Sequence, residues 1–158
     1  MISPFLAHQT SLAGGPVFGV HYTDHLSVLQ WAEQPACDRL LTRLDQLPLD
    51  DVATSIVSFH EQVQSWLAYL NRSRKPEQVV AAYEKLEVIW RWFLRMNVTS
   101  YSSEAQARFS QIKRHCRRVK TLDLRIASIA LATESTLLSR NLRDFHQVPG
   151  LNVEDWTS

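Results

Sequence analysis

Apolar and polar positions change period along this chain, and the changes predict strands alternating with helices. Val17 to Tyr22 is a short β-like run, and Asp24 is placed to cap a helix through about Trp31. Pro35 opens a second helix to about Leu44, since proline suits a first turn. Asp51 to Ser58 (DVATSIVS) is β-branched and apolar, as expected of a buried parallel strand. It leads into a helix from about Phe59 to Asn71, with Phe59, Val63, Trp66, Leu67 and Leu70 on one face.

Pro76 starts the longest helix, to about Met96, with an apolar stripe at Val79, Tyr83, Leu86, Trp90 and Phe93. Val88 and Trp92 lie off that stripe, so this helix is expected to be packed on two faces, within the fold or against a partner. Val98 to Ser100 reads as a short strand and Glu104 to Arg118 as a helix. Thr121 is placed to cap the next helix, LDLRIASIALATES. Thr136 to Ser139 is a strand, Leu142 to Phe145 a short turn or helix, and Leu151 to Glu154 a last strand. Strands alternating with helices imply an α/β fold with a parallel sheet covered on both faces. Chemistry in that architecture sits at the carboxyl ends of the strands, near a topological switch point. Residues 1–15, closed by Gly14-Gly15-Pro16, read as an N-terminal extension, and residues 16–158 as one domain.

Composition narrows the class. A chain of 158 residues can bury most of its apolar surface in one core without disulfides. No apolar run approaches the roughly 20 residues that span a bilayer, so no membrane role is expected. The N-terminal stretch lacks the basic start of a signal peptide, and the two cysteines, Cys37 and Cys116, lack metal-ligand spacing. A reduced, cytoplasmic protein is the expectation. Net charge is only +1, from 17 Lys and Arg against 16 Asp and Glu. The distribution says more. No acid occurs from Ala105 to Leu122, while Arg108, Lys113, Arg114, Arg117, Arg118 and Lys120 supply cations. On a helix, Lys113, Arg117 and Lys120 would share one stripe with Arg114 and Arg118 beside it. Such a stripe is either a solvated face or a contact for a phosphate backbone.

Three acids stand where that chemistry is expected. Glu61 falls in the first turn of a helix directly after a strand, Asp123 in the first turn of another, and Asp144 just beyond a strand. All three point to one edge of a parallel sheet. Clustered carboxylates need a compensating cation, and Mg²⁺ or Mn²⁺ suits an all-oxygen set. Each acid also has a structural reading. Glu61 and Asp123 would favour a helix N-terminus in any protein, and Asp144 could cap the turn after Asn141. Convergence is the argument for chemistry.

The segment Asp123-Leu-Arg-Ile-Ala-Ser-Ile-Ala-Leu-Ala, then Thr136-Leu-Leu-Ser-Arg-Asn141-Leu-Arg-Asp144-Phe, then Val148 to Trp156, resembles the C-terminal half of a PIN-domain ribonuclease. It is most similar to the VapC-type toxins of bacterial toxin–antitoxin pairs. Tyr22-Thr-Asp-His-Leu-Ser27 sits where the first acidic motif belongs, and Phe59-His-Glu61-Gln62 where the second does. The resemblance implies a three-layer α/β/α fold, a Mg²⁺ or Mn²⁺ pocket of three or four acids, and hydrolysis of RNA. It assigns Glu61, Asp123 and Asp144 to the metal, and Thr23, Ser139 and Asn141 to the polar lining. It also implies a homodimer and a cognate antitoxin. The helical pair rich in Trp66, Trp90 and Trp92 is the candidate for those contacts, with ordinary core packing as the other reading of the same aromatics.

One position departs from the pattern. The family's first strand ends in an Asp that ligates the metal, and here His21-Tyr22-Thr23-Asp24 puts Tyr22 in its place. A phenol with unperturbed pKa near 10 is a poor ligand for a hard cation at neutral pH. Three explanations compete: a degenerate site that only binds; Asp24 as a substitute metal ligand, helped by His21 or His25; or an altered reading frame over the first twenty-odd residues. His25 and His60 read otherwise as polar surface.

Overall fold

The computed structural model describes residues 20–22 and 34–158. The expected extension, the helix after Asp24, and Thr23, Asp24 and His25 lie outside the described residues. Within them, the strands β1 (Val20–Tyr22), β2 (Val52–Ser55), β3 (Val98–Thr99), β4 (Thr136–Leu138) and β5 (Val153–Glu154) form one parallel sheet in the order β3-β2-β1-β4-β5. Six helices accompany them: α1 (Gln34–Leu44), α2 (Ile56–Arg72), α3 (Pro76–Phe93), α4 (Ser103–Ile112), α5 (Thr121–Ala132) and α6 (Leu142–Phe145).

Consecutive side chains of a strand point to opposite faces, and β4 shows what this achieves. Leu137 joins a core with Phe109, Ile112, Ile126, Ile129 and Phe145. Its neighbour Leu138 joins a second core with Leu40, Leu44, Val52, Ile89 and Phe93. The sheet is thus buried on both faces, and the expected three-layer α/β/α architecture is the one observed. At the far end of α5, Glu134 takes a left-handed φ of 52°, and the Ser135 N–H reaches back to the Ala130 carbonyl at 3.0 Å. This closure turns the chain into β4 within four residues.

Local structure differs from the sequence expectation in several places. The strand expected to run to Ser58 stops at Ser55, because the Ser55 hydroxyl caps α2 by accepting from the Ser58 N–H at 2.9 Å. Glu61 therefore lies in the second turn of α2, not the first. Ser55 and Ser58 are both buried, with their hydroxyls 2.9 Å apart. Replacing Ser55 with alanine is expected to cost about 1–2 kcal/mol, since it removes a cap and strips the Ser58 hydroxyl of a partner. Urea denaturation checks this; a loss under a few tenths of a kcal/mol would mean the cap contributes little.

The longest helix presents a different face from the one expected. Its buried residues are Ala82, Ile89 and Phe93, about one helical position round from Tyr83 and Trp90, which are 59% and 56% exposed. Two apolar stripes compete on α3, and aromatic bulk does not decide which is covered. Phe59 of α2 meets the buried one, edge-on to Phe93 with centroids 4.9 Å apart. Val80 and Leu94 are exposed with Tyr83 and Trp90, so within the chain itself only one face of α3 is covered. Of the three tryptophans, Trp66 and Trp92 pack partly buried against the second core.

Finally, the helix expected from Glu104 to Arg118 ends at Ile112, and turns follow. Like charges four apart (Lys113 with Arg117, Arg114 with Arg118) oppose a continuous helix. The turns still bury Cys116 and Val119. The Cys116 thiol donates to the Gln147 carbonyl at 3.2 Å, and burial pushes its pKa up. This agrees with its reading as a small structural side chain. Thr121 is the first residue of α5 rather than its cap; Lys120 occupies the cap position without a side-chain bond.

Candidate functional site at the carboxyl edge of the sheet

Because all five strands run parallel, their carboxyl ends share one edge. The chain leaves β1 toward β2 and β3 on one side and returns to β4 and β5 on the other, so the switch point lies at the end of β1. That end is Tyr22, which pairs in register with Thr54 of β2 and Leu138 of β4. The segments that follow those partners open toward the same edge. Thr54 leads through Ser55 into α2, and Leu138 leads through Ser139 into α6.

Each acid found in the sequence belongs to an element that reaches this edge. α5 ends just before β4 begins, so its N-terminus, with Asp123 in the first turn, lies at the opposite, carboxyl edge. Asp123 is only 8% exposed, an unusual burial for a carboxylate. Glu61 is half-buried in the second turn of α2. Asp144 is half-buried in α6 and is held by a short relay. The Asn141 side-chain amide donates to Asp144 Oδ2 at 3.1 Å, and the Asn141 backbone N–H donates to the fully buried Ser139 hydroxyl at 3.0 Å. Ser139 and Asn141 thus orient an acid, whereas the expected capping of the turn by Asp144 is reversed: Asn141 is the cap residue.

Three polar residues at this edge were not singled out from the sequence. Ser55 and Ser58 form the buried hydroxyl pair, and their three-residue spacing after an apolar strand is a cap signature that could have marked them. Gln62, beside Glu61, keeps its Oε1 buried without a hydrogen-bond partner among the described residues. An orphan acceptor is costly and rare in a folded protein.

The donors at this edge are carboxylates, hydroxyls and amides, which is the right chemistry for Mg²⁺ or Mn²⁺. In number they fall short. Among the described residues, no three of His, Cys, Asp and Glu come together closely enough to hold a metal ion. The carboxyl end of the central strand, where one more acid would count most, carries Tyr22. His60 is exposed, consistent with a surface residue. Among the described residues no helix is long and apolar enough to cross a membrane.

The cations past α4 do not form a helical stripe. Lys113, Arg114, Arg117, Arg118 and Lys120 are all exposed on the turns between α4 and α5. The nearest of them in sequence, Lys120, lies three residues before Asp123.

Comparison with known proteins bears on this architecture. No protein-family model matches the chain. It is 30% identical over 84 residues to the tRNA(fMet)-specific endonuclease VapC of Salmonella typhimurium, which covers 51% of this chain and 64% of that protein. The chain thus matches a little under two thirds of that relative's length. Among solved structures, it is similar to the DNA-bound VapBC of Salmonella typhimurium, with TM-score 0.68 and 20% identity over 88% of this chain and 98% of that one. VapBC-1 of nontypeable Haemophilus influenzae gives TM-score 0.66 and 16% identity over 88% and 99%. VapBC2 of Rickettsia felis, bound to a promoter DNA fragment, gives 0.64 and 20% over 87% and 98%. The chain therefore has the fold of the VapC-like PIN-domain proteins, as its passage from Asp123 to Trp156 implied.

Proposed function

We propose that this chain is a VapC-like, metal-dependent endoribonuclease of a toxin–antitoxin system, with RNA cleavage weakened by Tyr22. The observation that carries the reading is the arrival of Glu61, Asp123 and Asp144 on elements that open at one sheet edge, in a fold shared with VapC. Mg²⁺ or Mn²⁺ bound there would activate water and neutralise phosphate charge. Glu61, Asp123 and Asp144 are the residues that would hold it, with Asp24 as a further donor and Thr23, Ser139 and Asn141 lining the pocket. Lys113, Arg114, Arg117, Arg118 and Lys120 would hold the RNA backbone, a sequence-independent and salt-sensitive contact. By analogy with the VapBC complexes, the partners are a cognate antitoxin and a second copy of the chain, in the cytoplasm.

Tyr22 favours a second reading: a protein that keeps the fold and binds RNA or antitoxin without cutting. Turnover separates the two. Purified protein with Mn²⁺ should cleave RNA slowly, and Asp123→Asn, which removes a charge at nearly constant size, should lower that rate about 100-fold or more. Wild-type protein that binds RNA but never cleaves it would establish the second reading. An Asp123→Asn variant as active as wild type would remove Asp123 from the site.

A further inference from the structure

Phe109, in the last turn of α4, is a nearly buried ring with two cations over it. Lys113 Nζ lies 5.2 Å and Arg125 Cζ 5.7 Å from its centroid. Both distances fall within the range of a cation–π contact. Lys113 is the cap residue closing α4, and Arg125 lies in the second turn of α5. One ring therefore clasps cations from two helices and holds them no further apart than the sum of those distances. Among the described residues, neither cation is paired with a carboxylate. A ring contact stabilises each, yet two like charges gathered on one ring repel unless an anion lies between or beside them.

The location says which anion. Arg125 follows Asp123 by two residues, so the two side chains leave the helix about 200° apart, on nearly opposite sides. A helix with its side chains is about 10–12 Å across. A strand with its reacting phosphate at Asp123 reaches the Arg125 side by curving over the first turn of that helix, a path of a few nucleotides. We infer that Lys113 and Arg125, held over the Phe109 ring, form a phosphate-docking site that sets the path of single-stranded RNA into the acidic edge. Arg125 is thereby a binding residue in its own right, distinct from the exposed cations Arg114, Arg117, Arg118 and Lys120, because the ring fixes its guanidinium beforehand. The inference rests on the RNA reading above.

The test measures binding of the full chain to a fluorescein-labelled, fully 2′-O-methylated single-stranded RNA, which cannot be cleaved, by anisotropy between about 50 and 200 mM salt. Arg125→Gln should weaken binding roughly tenfold and lower the salt slope by about 1. Arg125→Lys should restore the slope. Phe109→Leu keeps every charge, so it should weaken binding about threefold with the slope unchanged, as expected when ordering rather than charge is lost. Arg72→Gln, at the far end of α2, should stay within about twofold of wild type. Wild-type binding that survives Arg125→Gln with the same slope would overturn the docking site and leave the RNA reading intact. Wild type that binds no RNA would overturn both.

Discussion

Tyr22→Asp is expected to raise Mn²⁺-dependent RNA cleavage about 100-fold or more over wild type, the scale on which one charged group at a reacting phosphate acts. The position justifies the size of the effect. Tyr22 ends the central strand, with neighbours paired on both sides and Ser139, Glu61 and Asp123 on elements opening at the same edge. On the proposed reading, an acid there would add a carboxylate to the edge on which Glu61, Asp123 and Asp144 open. Without metal, the same acid would add repulsion to a site already holding the buried Asp123. The variant should therefore melt lower than wild type in chelator and regain stability as Mn²⁺ is added, by about 2.7 kcal/mol at a hundredfold excess over its dissociation constant. Tyr22→Asn, which adds no charge, should show neither the repulsion-driven fall in chelator nor the added recovery with Mn²⁺. If Tyr22→Asp neither cleaves RNA nor gains stability from Mn²⁺, the site does not lie at the end of β1.

Phe145→Ala should be the most damaging core substitution, at about 3–5 kcal/mol. The ring is 1% exposed and packs in the core that α4 and α5 share with Leu137. It also belongs to α6, whose four residues are too few to hold their shape without it. Asp144 directly precedes it, so loosening this anchor should release the carboxylate that Asn141 holds. A fall in melting temperature on the order of 10 °C is expected for a chain this size. Urea titration gives the free energy; a cost below about 1 kcal/mol would show that the anchor is not Phe145.

The α/β alternation was legible because its signals are local: a β-branched run at residues 52–55, prolines at 35 and 76, small apolar residues through α5. The acid positions were legible for the same reason, since Asp123 and Asp144 sit beside element boundaries that their own segments announce. What could not be read were outcomes of competition. Ser55 could extend the strand or cap the helix, and capping won because Ser58 offered both an N–H and a hydroxyl. On α3 two apolar stripes of similar strength compete, and only the packed fold selects the one through Ala82 and Ile89. In the basic segment, helical spacing of cations was visible, but their mutual repulsion within successive turns decides that α4 stops at Ile112. The Phe109 clasp was invisible for a further reason: Arg125 and Lys113 meet only once two helices have docked.

The order of the sheet also dictates when during synthesis this edge can exist. β1 is among the first segments made, yet one of its two partners, β4, follows about 116 residues later, since Val20 pairs with Thr136. At about 5–20 residues per second, β1 waits for several seconds or longer with one flank unpaired. Asp123 and Asp144 arrive in the same late stretch. The edge on which Glu61, Asp123 and Asp144 open can therefore close only after β4 has emerged to pair with β1.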